Sequence, residues 1–311
     1  MGALSESALK NLSRQAVSEL VLDKAPTNQL LQILPFAPVD GHELHLTTVD
    51  ASGSLASHAG FETEGGTLVD TLPGTATRTY PIKRISSILE VYTLTQDKLS
   101  NSNDILQTLI DLKVRAVKDL FCTKLYTGDS GTAGEFSGVN QIASLASNVL
   151  GADDNNANGG TVRRGELEAA RAMLQVSQPG AEVVFVMHAK GYKHLLTVNY
   201  SDVEFVNHPV LGMLPSLAGT PIVIDNFIST TETKGTSNDC TSIYCMALGK
   251  GVGVTGIFPA HLQGKEISVR GPIPSETTGT MIYQISWEVA VAAWQTGGLV
   301  RIEGARHANT T

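Results

Sequence analysis

The sequence predicts an α+β fold made of one long helix, one long extended arm and a mixed sheet. Three observations predict it. Residues 104–126 keep a helical pattern with no Pro or Gly, and residues 281–293 alternate as a strand does. Residues 50–79 are rich in Gly, Ser and Thr and too poor in apolar groups to form a core of their own.

At 311 residues the chain is long enough for one large or two medium domains. Its formal charge is −8 and it has no Lys/Arg block, which argues against sequence reading or tight coating of nucleic acid. Cys122, Cys240 and Cys245 make an odd set with no disulfide framework, as expected in a reducing cytoplasm. No apolar run reaches membrane length, and MGALSESALK lacks the order of a signal peptide. Glu6 stands where an N-myristoylation signal requires Ser or Thr.

Taken in order, residues 5–22 read as an amphipathic helix with Leu9, Leu12, Ala16, Val17 and Leu20 on one side. Pro26, Pro35 and Pro38 punctuate the passage to a short apolar segment at 30–34 and a strand at 43–49. The 50–79 stretch has Leu55, Phe61, Leu68, Val69 and Leu72 as its sizeable apolar groups, which predicts an arm ordered by contact with another chain. Residues 75–80 are its returning strand, expected to carry Arg78 outward, and 81–91 rejoin the body.

Ser102, Asn103 and Asp104 offer N-caps for the long helix. Leu106, Ile110, Val117 and Phe121 share a stripe of that helix, and at about 1.5 Å per residue it is a rod of roughly 33 Å. It stops at Thr127, Gly128 and Asp129, and a Gly/Ser/Thr loop runs on to Val139. The Asp/Asn/Gly loop at 151–160 lacks the alternating carboxylates and terminal Glu of a calcium loop. Thr161 is expected to cap a helix over 162–176 with Leu167, Ala170, Met173 and Leu174 inward. A strand at 183–187, a helix at 190–198 and strands at 221–225, 242–248, 281–293 and 299–302 complete a mixed sheet with helices on its faces.

Local chemistry is sparse. Gly251, Gly253 and Gly256 satisfy G-x-G-x-x-G after a strand, but Pro259 forbids the helix a dinucleotide site needs. His42 and His45 are three apart on a strand, not four apart on a helix, so zinc is not expected. Cys240 and Cys245 have no matching ligand pair nearby, and His188 and His194 read as polar decoration of a short helix. No nucleophile elbow or P-loop occurs. No catalytic residue, cofactor site or metal site is assigned.

The order of an extended arm, a long helix, then LYTGDSGTAGEFSGVNQI, then PSLAGTPIVIDNF and a β-rich end resembles the tailed-bacteriophage major capsid proteins of the HK97 fold. The resemblance implies an N-terminal arm over 1–40 and an extension loop over 41–82. It further implies a peripheral domain over 83–145 and 273–311 with spine helix 104–126, and an axial domain over 146–272. Its C-terminal strands are expected to pair beneath the spine helix.

The resemblance also implies a homo-oligomer of hexamers and pentamers that assembles in a host cytoplasm and encloses phage double-stranded DNA in a virion without reading its sequence. Candidate contacts between subunits are Arg78, Lys83, Arg84, Phe61 and Leu68. Read from Met1, the chain leaves no room for a large N-terminal scaffolding segment, so a separate scaffolding protein is expected, with a portal and decoration proteins as further partners. Some relatives crosslink through a lysine on the arm. Residues 41–80 contain no lysine, so no crosslink is expected. An encapsulin-like compartment shell is the nearest alternative, and a soluble Rossmann-like enzyme is the rival of a different class.

Overall fold

The computed structural model describes residues 28–49, 75–92, 103–174, 181–199, 203–262, 267–275 and 279–307. The expected helix at 5–22 and the arm residues Phe61 and Leu68 lie outside them.

Helix α1 (Gln29–Ile33) starts at Asn28, whose Oδ1 accepts from the Leu31 N–H at 2.9 Å. Strands β1 (Phe36–Val39), β2 (Glu43–Val49), β3 (Thr75–Pro81) and β4 (Lys83–Tyr92) follow, then the long helix α2 (Asn103–Thr127). Next come α3 (Val139–Leu145), β5 (Val149–Gly151), a helical turn at Ala152–Asn155, α4 (Arg164–Met173), β6 (Glu182–Met187) and α5 (Ala189–Asn199). The remainder is β: β7 (Val203–His208), β8 (Gly212–Leu217), β9 (Thr220–Ile224), β10 (Glu232–Lys234) and β11 (Ser237–Leu248). It ends with β12 (Val254–Pro259), β13 (Ser268–Pro274), β14 (Thr280–Ala293) and β15 (Leu299–Arg306).

Strand β14 organises one end. It runs antiparallel to β4 from Thr280↔Tyr92 to Val289↔Lys83, and also pairs with β13 and β12. Helix α2 lies on β4 and β14. Its apolar stripe buries Val117, Phe121, Cys122, Leu125 and Tyr126, with the Phe121 and Trp287 ring centroids 4.7 Å apart. Each such side chain contributes about 1.5–3 kcal/mol by leaving water. Further toward the helix start, Leu106, Leu109 and Ile110 pack on Leu89, Val91 and Tyr283.

Strand β11 organises the other end, flanked by antiparallel β6 and β15, while β9 extends the sheet parallel to β6. A second core of Leu167, Phe185, Met187, Leu195, Ile222, Ile243, Val300 and Ile302 joins these strands to α4 and α5.

Two expectations change here. Helix α4 begins at Arg164, not at 162, because Glu166 Oε2 accepts from the Arg163 N–H at 3.0 Å and closes the first turn. Buried Val162 precedes that cap and packs in one cluster with Leu167, while Thr161 is 3.2 Å from His194 Nε2 and caps nothing. The C-terminal strands also separate. Strand β14 lies under α2, whereas β15 pairs with β11 and β5, since Ile302 faces Ile243 and its apolar side completes the second core.

Candidate assembly surfaces

Strands β2 and β3 form a two-stranded hairpin of their own, in register from Glu43↔Pro81 to Val49↔Thr75. Its root is fixed twice. The Ile82 N–H donates to the His42 carbonyl at 2.8 Å, and the buried Tyr80 hydroxyl donates to the Ala293 carbonyl at 3.2 Å. Burial pushes the Tyr80 phenol up, partly opposed by the Arg78 guanidinium beside it.

Arg78 is therefore not the outward residue that the sequence suggested. It is two residues from Tyr80, shares its face of β3 and is half-buried, while Thr77 and Thr79 are exposed. Thr77, Arg78, Tyr80, Ser137, Ile142 and Leu145 line a cavity of about 310 Å³ between the hairpin root and α3. Leu145 is 69% exposed, so an apolar wall and a guanidinium stand together there. Arg84 donates from Nη2 to Ser286 Oγ at 3.2 Å. Lys83 and Arg84 are neighbours on β4 and face opposite sides, so the three cations do not make one flank.

The loop after α2 is held by its own backbone. Gly128 N–H donates to the Lys124 carbonyl at 2.8 Å, and Gly138 N–H donates to the Gly128 carbonyl at 2.9 Å. A Cβ on Gly128 would stand 2.5 Å from the Phe136 carbonyl oxygen, and one on Gly138 2.6 Å from the Gly128 nitrogen, so both positions require glycine. Lys124 Nζ donates to Glu135 Oε1 at 2.5 Å and holds that half-buried carboxyl below its ordinary range. Asp129 Oδ1 accepts from Gly131 N–H and Gln141 Nε2, which ties the loop to α3.

Sequence reading missed the polar junction beneath this loop. Asp225, at the end of β9, is fully buried. The Tyr126 hydroxyl of α2 donates to its Oδ2 at 2.5 Å, and Phe227 N–H donates to Oδ1 at 2.9 Å. Tyr126 stacks on Tyr244 at 5.2 Å, and the Tyr244 hydroxyl donates to Asn140 Oδ1 at 2.6 Å. Desolvation pushes the Asp225 carboxyl above its ordinary range, opposed by the Tyr126 hydroxyl and the Phe227 amide. The junction thus locks the end of the long helix to the sheet. Its signal in the sequence was an acid closing the apolar run PIVID.

The remaining sequence candidates serve packing. Gly256 lies within β12, where a Cβ would meet the Phe36 ring at 2.4 Å, and a Cβ on Gly253 would stand 2.0 Å from the Ala247 carbonyl oxygen. The G-x-G-x-x-G run therefore leads into a buried strand, with no helix N-terminus for a pyrophosphate. His45 is 3.0 Å from Thr79 Oγ1, while the His42 ring stands 6.1 Å from that of His261. All three cysteines are buried and free, and burial pushes the thiols of Cys122 and Cys245 up to about 12. Among the described residues no group of three or more His, Cys, Asp or Glu side chains is placed to hold a metal.

No protein-family model and no curated protein matches this chain. Solved structures do. An encapsulin of Synechococcus elongatus PCC 7942, from a holo-SrpI complex, superposes with a TM-score of 0.67 at 14% identity, over 93% of this chain and 91% of that one. The capsid of cyanophage A-1(L) gives 0.60 at 14% identity over 90% and 93%. The capsid of a native GTA particle gives 0.59 at 14% identity over 90% and 91%. The chain has the HK97-type fold of capsid and compartment shells.

Proposed function

We propose that this chain is a non-catalytic structural protein that self-associates into a closed shell. One observation carries this reading: nine-tenths of the chain superposes on nine-tenths of known shell subunits, with the long helix, its underlying strands and the hairpin all present. A two-stranded hairpin that stands apart from the main sheet suits a role as an arm laid on a neighbour. Many modest contacts per subunit suffice, because each later contact forms at high effective concentration.

In the finer reading the shell is a tailed-phage head of hexamers and pentamers enclosing double-stranded DNA, built with a separate scaffolding protein. Residues 41–82 are its extension arm, and α2 on β4 and β14 is the peripheral unit. We assign β15 to the axial unit together with the 146–272 segment, because it pairs with β11 and β5. The Arg78 cavity and exposed Leu145 are the contacts we assign to a neighbouring subunit.

The compartment reading has its own support in the TM-score of 0.67 against the encapsulin, beside 0.60 for the cyanophage capsid. Particles purified from the native source and treated with nuclease decide between them. Protected double-stranded DNA inside supports the head, and a packaged enzyme in DNA-free particles supports the compartment. Failure to find particles of either kind removes both.

A further inference from the structure

Strands β7 and β8 form one free end of the main sheet, and the two faces of this hairpin differ. One face turns His208, Leu214 and Ser216 inward, where all three are buried. The register sets Phe205 opposite Pro215 and Asn207 opposite Met213, so these four share the other face. Leu217 anchors the inner end of that face in the second core, but further out Phe205 is 66% exposed and Met213 75%. Val210, in the connecting turn, is also exposed.

The turn that presents these groups is fixed by a buried side chain. His208 Nδ1 lies 3.1 Å from the backbone nitrogens of both Val210 and Leu211, which can only donate, so Nδ1 accepts from both. Nε2 then carries the ring proton and donates to Glu182 Oε1 at the start of β6. Gly212 completes the turn at a φ of 76°. A rigid apolar projection loses little conformational freedom when it is covered, which suits a contact surface.

Size and charge select the occupant. Phe205, Val210 and Met213 leave bare on the order of a few hundred Å² of apolar surface, whereas a stable two-body interface takes roughly 800 Å² from each partner. The face is too small to hold one partner alone. It suffices where a contact recurs around a closed assembly, and further copies of the same chain supply that recurrence. The face also carries no charged residue, so two copies, each of formal charge −8, meet there with no like charges opposed.

We propose that the bare face of the β7–β8 hairpin, centred on Phe205 and Met213, is a contact between copies of this chain. This contact rests on the shell reading above and gives it one of the surfaces by which copies meet.

Hydroxyl-radical footprinting tests it on unassembled subunits and on shells formed from the purified chain alone, since the radicals arise from water on both sides of a shell wall. Phe205 and Met213 should be modified about tenfold more slowly in shells than in subunits. Phe205→Ser combined with Met213→Ser, both at exposed positions, should keep the circular dichroism spectrum while shell yield falls about tenfold or more. If that variant misfolds, the footprint alone decides. Equal modification in subunits and shells, or normal yield in the folded double variant, overturns the contact and leaves the shell reading standing. Protection that appears only after a second protein is added overturns it as well, because the occupant is then not a copy. If the unaltered chain forms no shells under any condition, the shell reading fails and the contact fails with it.

Discussion

Asp225 is the residue on which sequence and structure differ most in weight. It is a fully buried carboxyl whose two oxygens accept from Tyr126 and Phe227. Burial holds its folded pKa above the unfolded value, so between those values the folded chain keeps a proton that the unfolded chain has lost. Stability from this group is thus greatest at acid pH and falls as pH rises through the folded pKa. Asp225→Asn removes that slope. Urea midpoints of the unassembled subunit should show the advantage of wild type over the variant shrinking as pH rises, and an advantage that grows instead refutes the assignment. Arg78 makes a different prediction. In Arg78→Glu the subunit should keep its circular dichroism spectrum while shell yield falls about tenfold or more, because a like-charged contact replaces an attractive one. Normal yield in light scattering removes Arg78 from the interface.

Among the elements, the long helix and β14 were legible because each carries an uninterrupted period, and β6 because it is a continuous apolar run. Helix α2 runs Asn103–Thr127 and β14 runs Thr280–Ala293, each within a residue or so of its expected ends. What stayed hidden has local causes. Strand β12 begins in a glycine-rich run that reads as a turn, yet Gly256 is a strand residue shaped to receive Phe36. Strand β11 starts at Ser237, where polar SNDCT masks an edge paired with β10 and β15. Helix α4 starts on a Glu166 side chain reaching back to Arg163, with no side-chain cap of the common kind. The Asp225 junction and the half-buried Arg78 were illegible because burial is set by chain segments far apart in sequence.

Two predictions belong to these elements. Gly138→Ala forces a Cβ to within 2.6 Å of the Gly128 nitrogen, and the loop must open. We expect a loss of about 1–3 kcal/mol in denaturant unfolding, and no loss refutes the tight backbone crossing. Replacing residues 50–74 with Asn-Gly joins Val49 to Thr75, which are already register partners, through the turn that two-residue hairpins favour. The shortened subunit should melt within a few degrees of wild type by calorimetry and form no shells. Shells of normal yield eliminate the arm from assembly.

At the scale of the whole molecule, the parts suit the assembling subunit proposed above. A two-stranded arm stands apart from the main sheet, a locked junction fixes the long helix to that sheet, and apolar groups such as Phe205, Met213 and Leu145 stay exposed at 66%, 75% and 69%. The outline of the fold was readable from the order and lengths of its elements. The interfaces were not, because they depend on which faces remain uncovered once the subunit has folded.

The most direct test is the mass of the purified protein by sedimentation velocity, read beside negative-stain micrographs and repeated with a scaffolding protein supplied. Self-association predicts closed shells sedimenting far ahead of any small oligomer. A stable species no larger than a tetramer under both conditions contradicts it.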